Sequence, residues 1–534
     1  MVFSIAILAS FVIYLIIGAI VSRTIKDKDD YYVSGRNAPT VLVGGTLVAS
    51  YMSTVTFLGE IGFAYDGYPV ALGLITPLNI AGYGIGVMFF GRYLRRSEAL
   101  TVPEFFGKRF SSPTLQMITG LTVVVGIGFY LIAVTQGMSL IIQQLTGINP
   151  FFSLLTVWIG YTIFTLLSGA RGVLINDTIM YFIFTIAAVG GVGWLFYRAG
   201  GPTEAFNKMR NLADMPDALT WHGTTGPDAY MGTPGAVLMW GLTLGIVWML
   251  VVAVSPWQSS RYLMAKNEHV SIRSALMATV SIGFLYVFVA FGGLLINVFN
   301  PNINPSEVAF VWAAQNAMPP VLGVLAVTGI VAAGLSSAAS FLSLIGFSID
   351  NDVMPWLANR RKKLDIEKRD VNLTRTAMLT VGIIALVATY FATPAVLEIG
   401  YFAATLFAAS WGPLAFWSIR SEKLTERGAI AGVVTGFLIV ALFESLSRFG
   451  GIDFPIWANP VLIGIGGSLI AIVLGNRNQQ PREESIAFLR SLRSIPRENV
   501  SVKEYKTTRL WVIGSLIVIA SYATFLLVFY ALPN

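Results

Sequence analysis

Two kinds of residue in this sequence have the chemistry to hold or move a polar cargo. The first are carboxylates inside apolar stretches, Asp177 and Glu60. An ionisable group within a membrane segment is expensive and by default marks function. The second are hydroxyl, amide and aromatic side chains that could line a small-ligand pocket. Ser53, Thr54 and Thr56 lie in a run from Gly44 to Gly62 that is polar, small and glycine-rich where Leu and Ile are expected. Gln136, Thr243 and Trp248 stand in other apolar stretches and complete the solute-binding candidates, with Glu60 nearest the expected cavity. Glu60 could hydrogen-bond a solute, exchange a proton or brace the helix. Ser336 and Ser337 place two hydroxyls in a further apolar stretch, where the ordinary alternative is back-bonding to their own helix. Enzyme chemistry is poorly served. His222 and His269 are the only histidines, cysteine is absent, and no nucleophile has an adjacent base, so no catalytic residue is assigned.

The elements that must position these residues follow from composition. The chain has 534 residues, of which 55% are hydrophobic and 12% charged, against roughly 25% charged in a soluble domain. Its mean hydropathy is +0.71. A spanning helix needs about 20 apolar residues, because the bilayer offers no water to satisfy backbone groups. Such segments recur at 3–22, 41–65, 69–91, 114–145, 151–169, 172–197, 235–255, 275–299, 320–347, 376–392, 395–418, 428–446, 459–475 and 510–531. The expected fold is therefore an all-α integral membrane protein of about 14 transmembrane helices, one polytopic domain over 1–534. With the first span running inward, 31 of the 35 Lys and Arg fall in inside loops. Only Arg198, Lys208, Arg210 and Arg448 lie outside. The net charge of +7 is thus a topology signal rather than a nucleic-acid footprint. It puts both termini outside and the protein in the cell (inner) membrane. The first segment lacks a basic leader and reads as a retained span.

Interrupted helices carry more information than smooth ones, since unwound backbone at membrane depth survives only where it lines a cavity or is buried in protein. The second span has this character, and the seventh, around Trp240, Gly241, Thr243, Gly245 and Trp248, has a weaker version. Five spans separate their starts, the spacing of an inverted five-plus-five helix repeat, here 41–197 and 235–418. Small residues also serve close helix packing, and for each glycine that alternative stands. The loop 476–509, on the cytoplasmic side before the last span, could hold a short amphipathic helix, and Pro305 to Ala317 could form another that caps the outside.

Four motifs at matching spans resemble the sodium/solute symporter family, which includes sodium-coupled proline, pantothenate, sialic acid, monocarboxylate and sugar carriers. They are Ala49-Ser50-Tyr51-Met52-Ser53 with Phe57-Leu58-Gly59; Ser168-Gly169-Ala170-Arg171-Gly172-Val173-Leu174 leading into Asn176-Asp177; Pro256-Trp257-Gln258-Ser259-Ser260-Arg261-Tyr262; and Ala332-Ala333-Gly334-Leu335-Ser336-Ser337-Ala338. The resemblance implies a leucine-transporter-like fold. It also implies a sodium site on the carbonyls of Ala49, Met52 and Ala333 and the hydroxyls of Ser336 and Ser337. A hard cation prefers such oxygen ligands. Adjacent serines do not share a helix face, so both reach one ion only if the helix is distorted or the ion sits over its edge. The resemblance places Asp177 on the sodium exit route or in a second ion site, although Met180 stands where a polar residue is usual. The alternative for Asp177 is a membrane-edge pair with Arg171.

The implied function is sodium-coupled symport of a small organic solute by alternating access, with sodium co-transported. An organic acid or amino acid is favoured, because Thr56 replaces the glutamine usual in the family's sugar carriers. A proton-coupled carrier of the same fold and a transporter-like solute sensor are the alternatives. The partners are the solute, sodium and the lipid bilayer, with no nucleic acid and no obligatory protein partner.

Overall fold

The computed structural model describes residues 2–526 and 528, apart from 216–217, 220–232, 362–371, 394, 453, 456–457 and 497–499. His222 lies outside the described residues. Among the described residues all regular structure is helical, and the single β contact is an isolated bridge between Ala38 and Ala265. Among the described residues, eleven helices are long and apolar enough to cross a bilayer, or twelve if one bent pair is a single span.

That count differs from the expected fourteen for identifiable reasons. The sequence spans 151–169 and 172–197 both fall within one helix, Pro150–Arg198, of 49 residues. At about 1.5 Å per residue it is more than twice the roughly 30 Å thickness of a hydrocarbon core. Gly169 interrupts it at φ 51 and ψ −159, a conformation essentially closed to residues with a side chain. A Cβ there would also lie 2.5 Å from the Tyr31 ring. The expected span 459–475 is the Pro460–Asn476 helix, apolar but only 17 residues long.

The second span is broken where its composition indicated. Thr40–Tyr51 stops at Met52, whose ψ of 77 is non-helical, and Val55–Tyr65 continues at an angle of 52°. The Ser53 hydroxyl accepts from the Val55 amide at 3.1 Å, giving the backbone a local alternative to the helical ladder. The seventh span is not broken at its glycines. Pro234–Val254 runs as one helix, and a Cβ on Gly241 or Gly245 would lie 2.8 or 2.7 Å from Leu74 or Leu78 of the Pro69–Gly86 helix. Those glycines serve helix packing. The interruption falls later, at Ser255 (φ −55, ψ 144), because the ring of Pro256 disfavours helical geometry in the residue before it. Pro256–Met264 then resumes as a helix where the charge pattern implied a loop.

Pro320–Ser348 packs against both Pro150–Arg198 and Pro113–Thr146, and Thr40–Tyr51 packs against Pro150–Arg198 and Glu268–Ile296. The broken span therefore lies among the most buried helices of the bundle. Ahead of Pro320–Ser348, a 3-10 turn at Ser306–Val308 leads into the helix Ala309–Asn316. Within 476–509, Glu483–Arg493 forms a helix that buries Ser485, Leu489 and Leu492. It is tied down by Arg490 to Glu422 at 2.9 Å and by Arg109, which reaches the Ser485 hydroxyl at 2.6 Å.

Candidate functional site

Asp177 is fully buried, a little over two turns past the Gly169 interruption, and three helices meet at its carboxylate. Thr46 donates to Oδ2 at 2.5 Å, Ser336 to Oδ1 at 2.6 Å, and Ser340 reaches Oδ2 at 3.5 Å. The cation nearest it is Arg261, whose Nη2 is 3.7 Å from Oδ2 and donates to the Ser340 hydroxyl at 2.6 Å. Arg171 is elsewhere, paired with Asp30 at 3.1 Å, so the membrane-edge pairing of Asp177 does not form. Beside this cluster, a cavity of about 20 Å³ bordered by Arg261, Ser260 and Ser340 has room for one water molecule.

Six residues beyond Thr46, a little under two helical turns, is the break in the second span. The Val48 carbonyl accepts from the Met52 amide at 2.8 Å and the Tyr51 carbonyl from the Ser53 amide at 2.9 Å. Among the described residues, no hydrogen bond reaches the carbonyls of Ala49, Ser50 or Met52, although all three residues are buried. Such orphan acceptors are rare in protein interiors and call for a partner. Against the break lies Gly334, where a Cβ would meet the Thr54 methyl at 2.8 Å and Met138 at 2.5 Å. Ala333, Ser336 and Ser337 follow in the same continuous helix and are fully buried. The two serines differ. Ser336 gives its proton to Asp177 and keeps its oxygen lone pairs, whereas the Ser337 Oγ is buried without a hydrogen-bond partner. Carbonyls at a helix break and a free hydroxyl form an oxygen donor set suited to a small hard cation.

A second polar cluster surrounds Glu60, which is 5% exposed and lies two turns past the break. Tyr286 donates to its Oε2 at 2.6 Å and Tyr401 approaches Oε1 at 3.4 Å. Tyr286 is joined to Tyr51 hydroxyl to hydroxyl at 2.9 Å, and the Asn79 amide donates to Tyr51. The Trp248 ring is 6.1 Å from Tyr51 and 5.0 Å from Tyr401, centroid to centroid. Several polar atoms here are buried and unmatched: Trp248 Nε1, Asn79 Oδ1 and, beyond Tyr83, Gln258 Nε2.

Of the solute candidates, Glu60 and Trp248 are linked through Tyr401, which approaches the carboxylate and packs on the indole. Thr56 is buried in the same helix segment, and its hydroxyl bonds to the Glu60 carboxyl. Ser53 caps the broken helix, and Thr54 donates to the Val134 carbonyl at 3.4 Å. Gln136 is engaged at both ends, donating to Thr393 O at 3.1 Å and accepting from the Ala395 amide at 3.3 Å. Thr243 precedes Trp248 by five residues, which sets it about 140° round the helix from that ring. Sequence reasoning passed over Arg261 as a loop residue, and passed over Tyr286, Tyr401 and Asn79 altogether. For Arg261 there was a signal, since it is the only charge between Asp228 and Lys266. The tyrosines carried none, because aromatic residues are ordinary in membrane helices.

The family model described as the sodium:solute symporter family matches residues 31–436. A sodium/proline symporter of Staphylococcus aureus is 23% identical over 449 residues, covering 81% of this chain and 84% of that protein. Its counterpart in S. aureus strain JH9 is 24% identical over 450 residues, with the same coverage of 81% and 84%. Among solved structures, a substrate-bound, outward-open Na⁺-coupled sialic acid symporter superposes with a TM-score of 0.73 at 19% identity, over 91% of this chain and 99% of that one. A nucleobase-cation-symport-1 family transporter in a closed conformation gives a TM-score of 0.57 at 11% identity, over 88% and 99% of the two chains.

Proposed function

Because the chain belongs to the sodium:solute symporter family, we propose that it is a sodium-coupled secondary active symporter that imports a small organic solute by alternating access. One observation carries the reading: the unbonded carbonyls at the break of the second span accompany a buried, partnerless Ser337 hydroxyl. The sodium ligands are then the carbonyls of Ala49, Met52 and Ala333 with the hydroxyls of Ser336 and Ser337. Sodium bound there joins the broken helix to the Pro320–Ser348 helix, and its loss inside lets them part and release the solute. Asp177 serves the ion's exit route, since a second ion at its carboxylate would have to compete with Arg261. The solute site is assigned to Glu60, Thr56 and Trp248, with Ser53, Thr54, Gln136 and Thr243 shaping the helices around it. Amino acids and organic acids are the favoured cargo.

The fold that goes with this reading has fourteen spans, both termini outside, in a cell membrane. Its leucine-transporter-like core is an inverted repeat of 41–197 and 235–418, and it keeps a single domain with 476–509 on the cytoplasmic side. Support comes from the paired positions of the Met52 and Ser255 interruptions, each in the first helix of its repeat. A second reading, proton coupling through Glu60 or Asp177, is favoured by the burial of both carboxylates. Uptake into proteoliposomes with sodium replaced by choline at fixed pH separates the two. Uptake that survives the replacement overturns sodium coupling.

A further inference from the structure

Glu60 is a buried carboxylate that lacks a cation. Among the described residues no Lys, Arg or His lies within ion-pair distance of it; Asp177 has Arg261 and Asp350 has Lys28 at 3.5 Å, while Asp352, outside this cluster, is held by the neutral donors Thr101, Gln116 and Asn351. The hydroxyls that bond to it are neutral donors. They can solvate one negative charge without cancelling it, and an ionised carboxylate so placed in a protein interior is strongly unfavourable until a proton or a cation neutralises it. A helix that ends its break two turns earlier offers no compensating charge of its own, since the dipole of a helix end fades within its first turn.

The surroundings of the carboxylate narrow what could supply the charge. Tyr401 and Tyr286 reach it through their hydroxyls, and the rings of Tyr51 and Trp248 pack on those tyrosines, Trp248 5.0 Å from Tyr401 and Tyr51 6.0 Å from Tyr286, centroid to centroid. Aromatic faces attract a cation through their quadrupoles. The Asn79 amide oxygen, 3% exposed in its residue, is an acceptor with no donor, and Trp248 Nε1 is a donor with no acceptor. The cluster that holds the carboxylate thus joins aromatic rings to one unmatched acceptor and one unmatched N–H. A sugar hydroxyl could fill the hydrogen bonds but would leave the net charge buried. A simple carboxylic acid would double it.

We infer that Glu60 receives a positively charged nitrogen of the transported solute, so that the cargo belongs to the amine-bearing class, amino acids and related aminated compounds. This rests on the proposed symport reading for the statement that the bound molecule is a cargo. The carboxylate is neutralised only when the solute is aboard, which ties the closure of the broken helix to the presence of the right molecule.

The test is a thermal-shift screen of the purified full-length protein in sodium. Its probes are the standard amino acids, each set beside its deaminated acid, and neutral monosaccharides. The expected result is stabilisation by at least one amino acid and by neither its deaminated partner nor a sugar. Glu60→Gln is expected to weaken that binding by about 30-fold or more, and Glu60→Asp to restore part of it, while the shift produced by sodium alone is retained. Stabilisation by acids or sugars alone, by no probe at all, or by an amino acid whose affinity Glu60→Gln leaves within about twofold overturns the assignment. If Glu60→Gln fails to fold, the paired screen on the unaltered protein decides. Repeating the screen in choline isolates the premise: equal amino-acid binding without sodium refutes sodium coupling and leaves the amine assignment standing.

Discussion

Ser336 and Ser337 are neighbours in one unbroken helix, yet the Ser336 hydroxyl donates to Asp177 at 2.6 Å while the Ser337 hydroxyl is buried with no partner at all. Adjacent helical residues point about 100° apart. That difference lets one turn of helix hold the Asp177 cluster together and still keep a buried hydroxyl without a bond.

Replacing Ser337 with Ala should therefore raise the sodium concentration for half-maximal uptake by about tenfold, a loss of about 1.4 kcal/mol, without lowering the melting temperature. The hydroxyl has no structural bond to lose. Ser336→Ala should lower the melting temperature, because it strips a donor from a buried carboxylate. Sodium titration of uptake beside a thermal melt of each variant checks both, and an unchanged sodium dependence in Ser337→Ala refutes the ligand role.

Arg261 and Asp177 are 2% and 1% exposed, so each is stranded if the other is neutralised. Arg261→Met and Asp177→Asn alone should each destabilise by about 3–5 kcal/mol. The double variant should recover part of that, with a coupling of about 0.5–3 kcal/mol. Melting temperatures of the four proteins form the cycle, and additive losses would show that the pair is not energetically linked.

Gly169→Ala should destabilise by about 1–3 kcal/mol from backbone strain alone, and more because its Cβ would lie 2.5 Å from the Tyr31 ring. A wild-type melting temperature for this variant would mean that the long helix bends elsewhere.

Arg109 is fully buried outside the spans, and its guanidinium bonds to Ser418 O at 2.7 Å, Ser421 O at 2.8 Å and Ser485 Oγ at 2.6 Å. Burial pushes its pKa down to about 10. The folded value lies below the unfolded one, so the unfolded chain binds more protons only above about 10, and stability gains from this group only there. At neutral pH it is charged in both states and adds no pH dependence. Arg109→Ala should cost about 2–4 kcal/mol and expose Glu483–Arg493 to protease. Lys should not rescue it, since a single ammonium cannot match the planar fork that joins three segments.

Much of this was legible in the chain. Apolar run lengths announced a helical membrane protein, and the polar, glycine-rich stretch around Met52 announced the broken span, because local composition directly sets whether a segment can satisfy its own backbone in lipid. The same logic marked Asp177 and Glu60 from residue type alone. It misjudged the seventh span, because a glycine kept for packing and a glycine kept for unwinding look alike until the neighbouring helix is known. Leu74 and Leu78 made Gly241 and Gly245 packing residues, and Pro256 moved the interruption to Ser255.

What the sequence by itself determined, then, was the solvent of this protein, its helical class and the candidate polar residues. These follow from free energies that each segment meets alone. Tertiary structure decided who meets whom: that Asp177 faces Arg261 rather than Arg171, that Ser337 is left free, and that Glu60 meets the hydroxyls of Tyr286 and Tyr401 and, among the described residues, no cation. Those partnerships join residues from distant helices, and only the packing of the bundle brings them within a few ångströms.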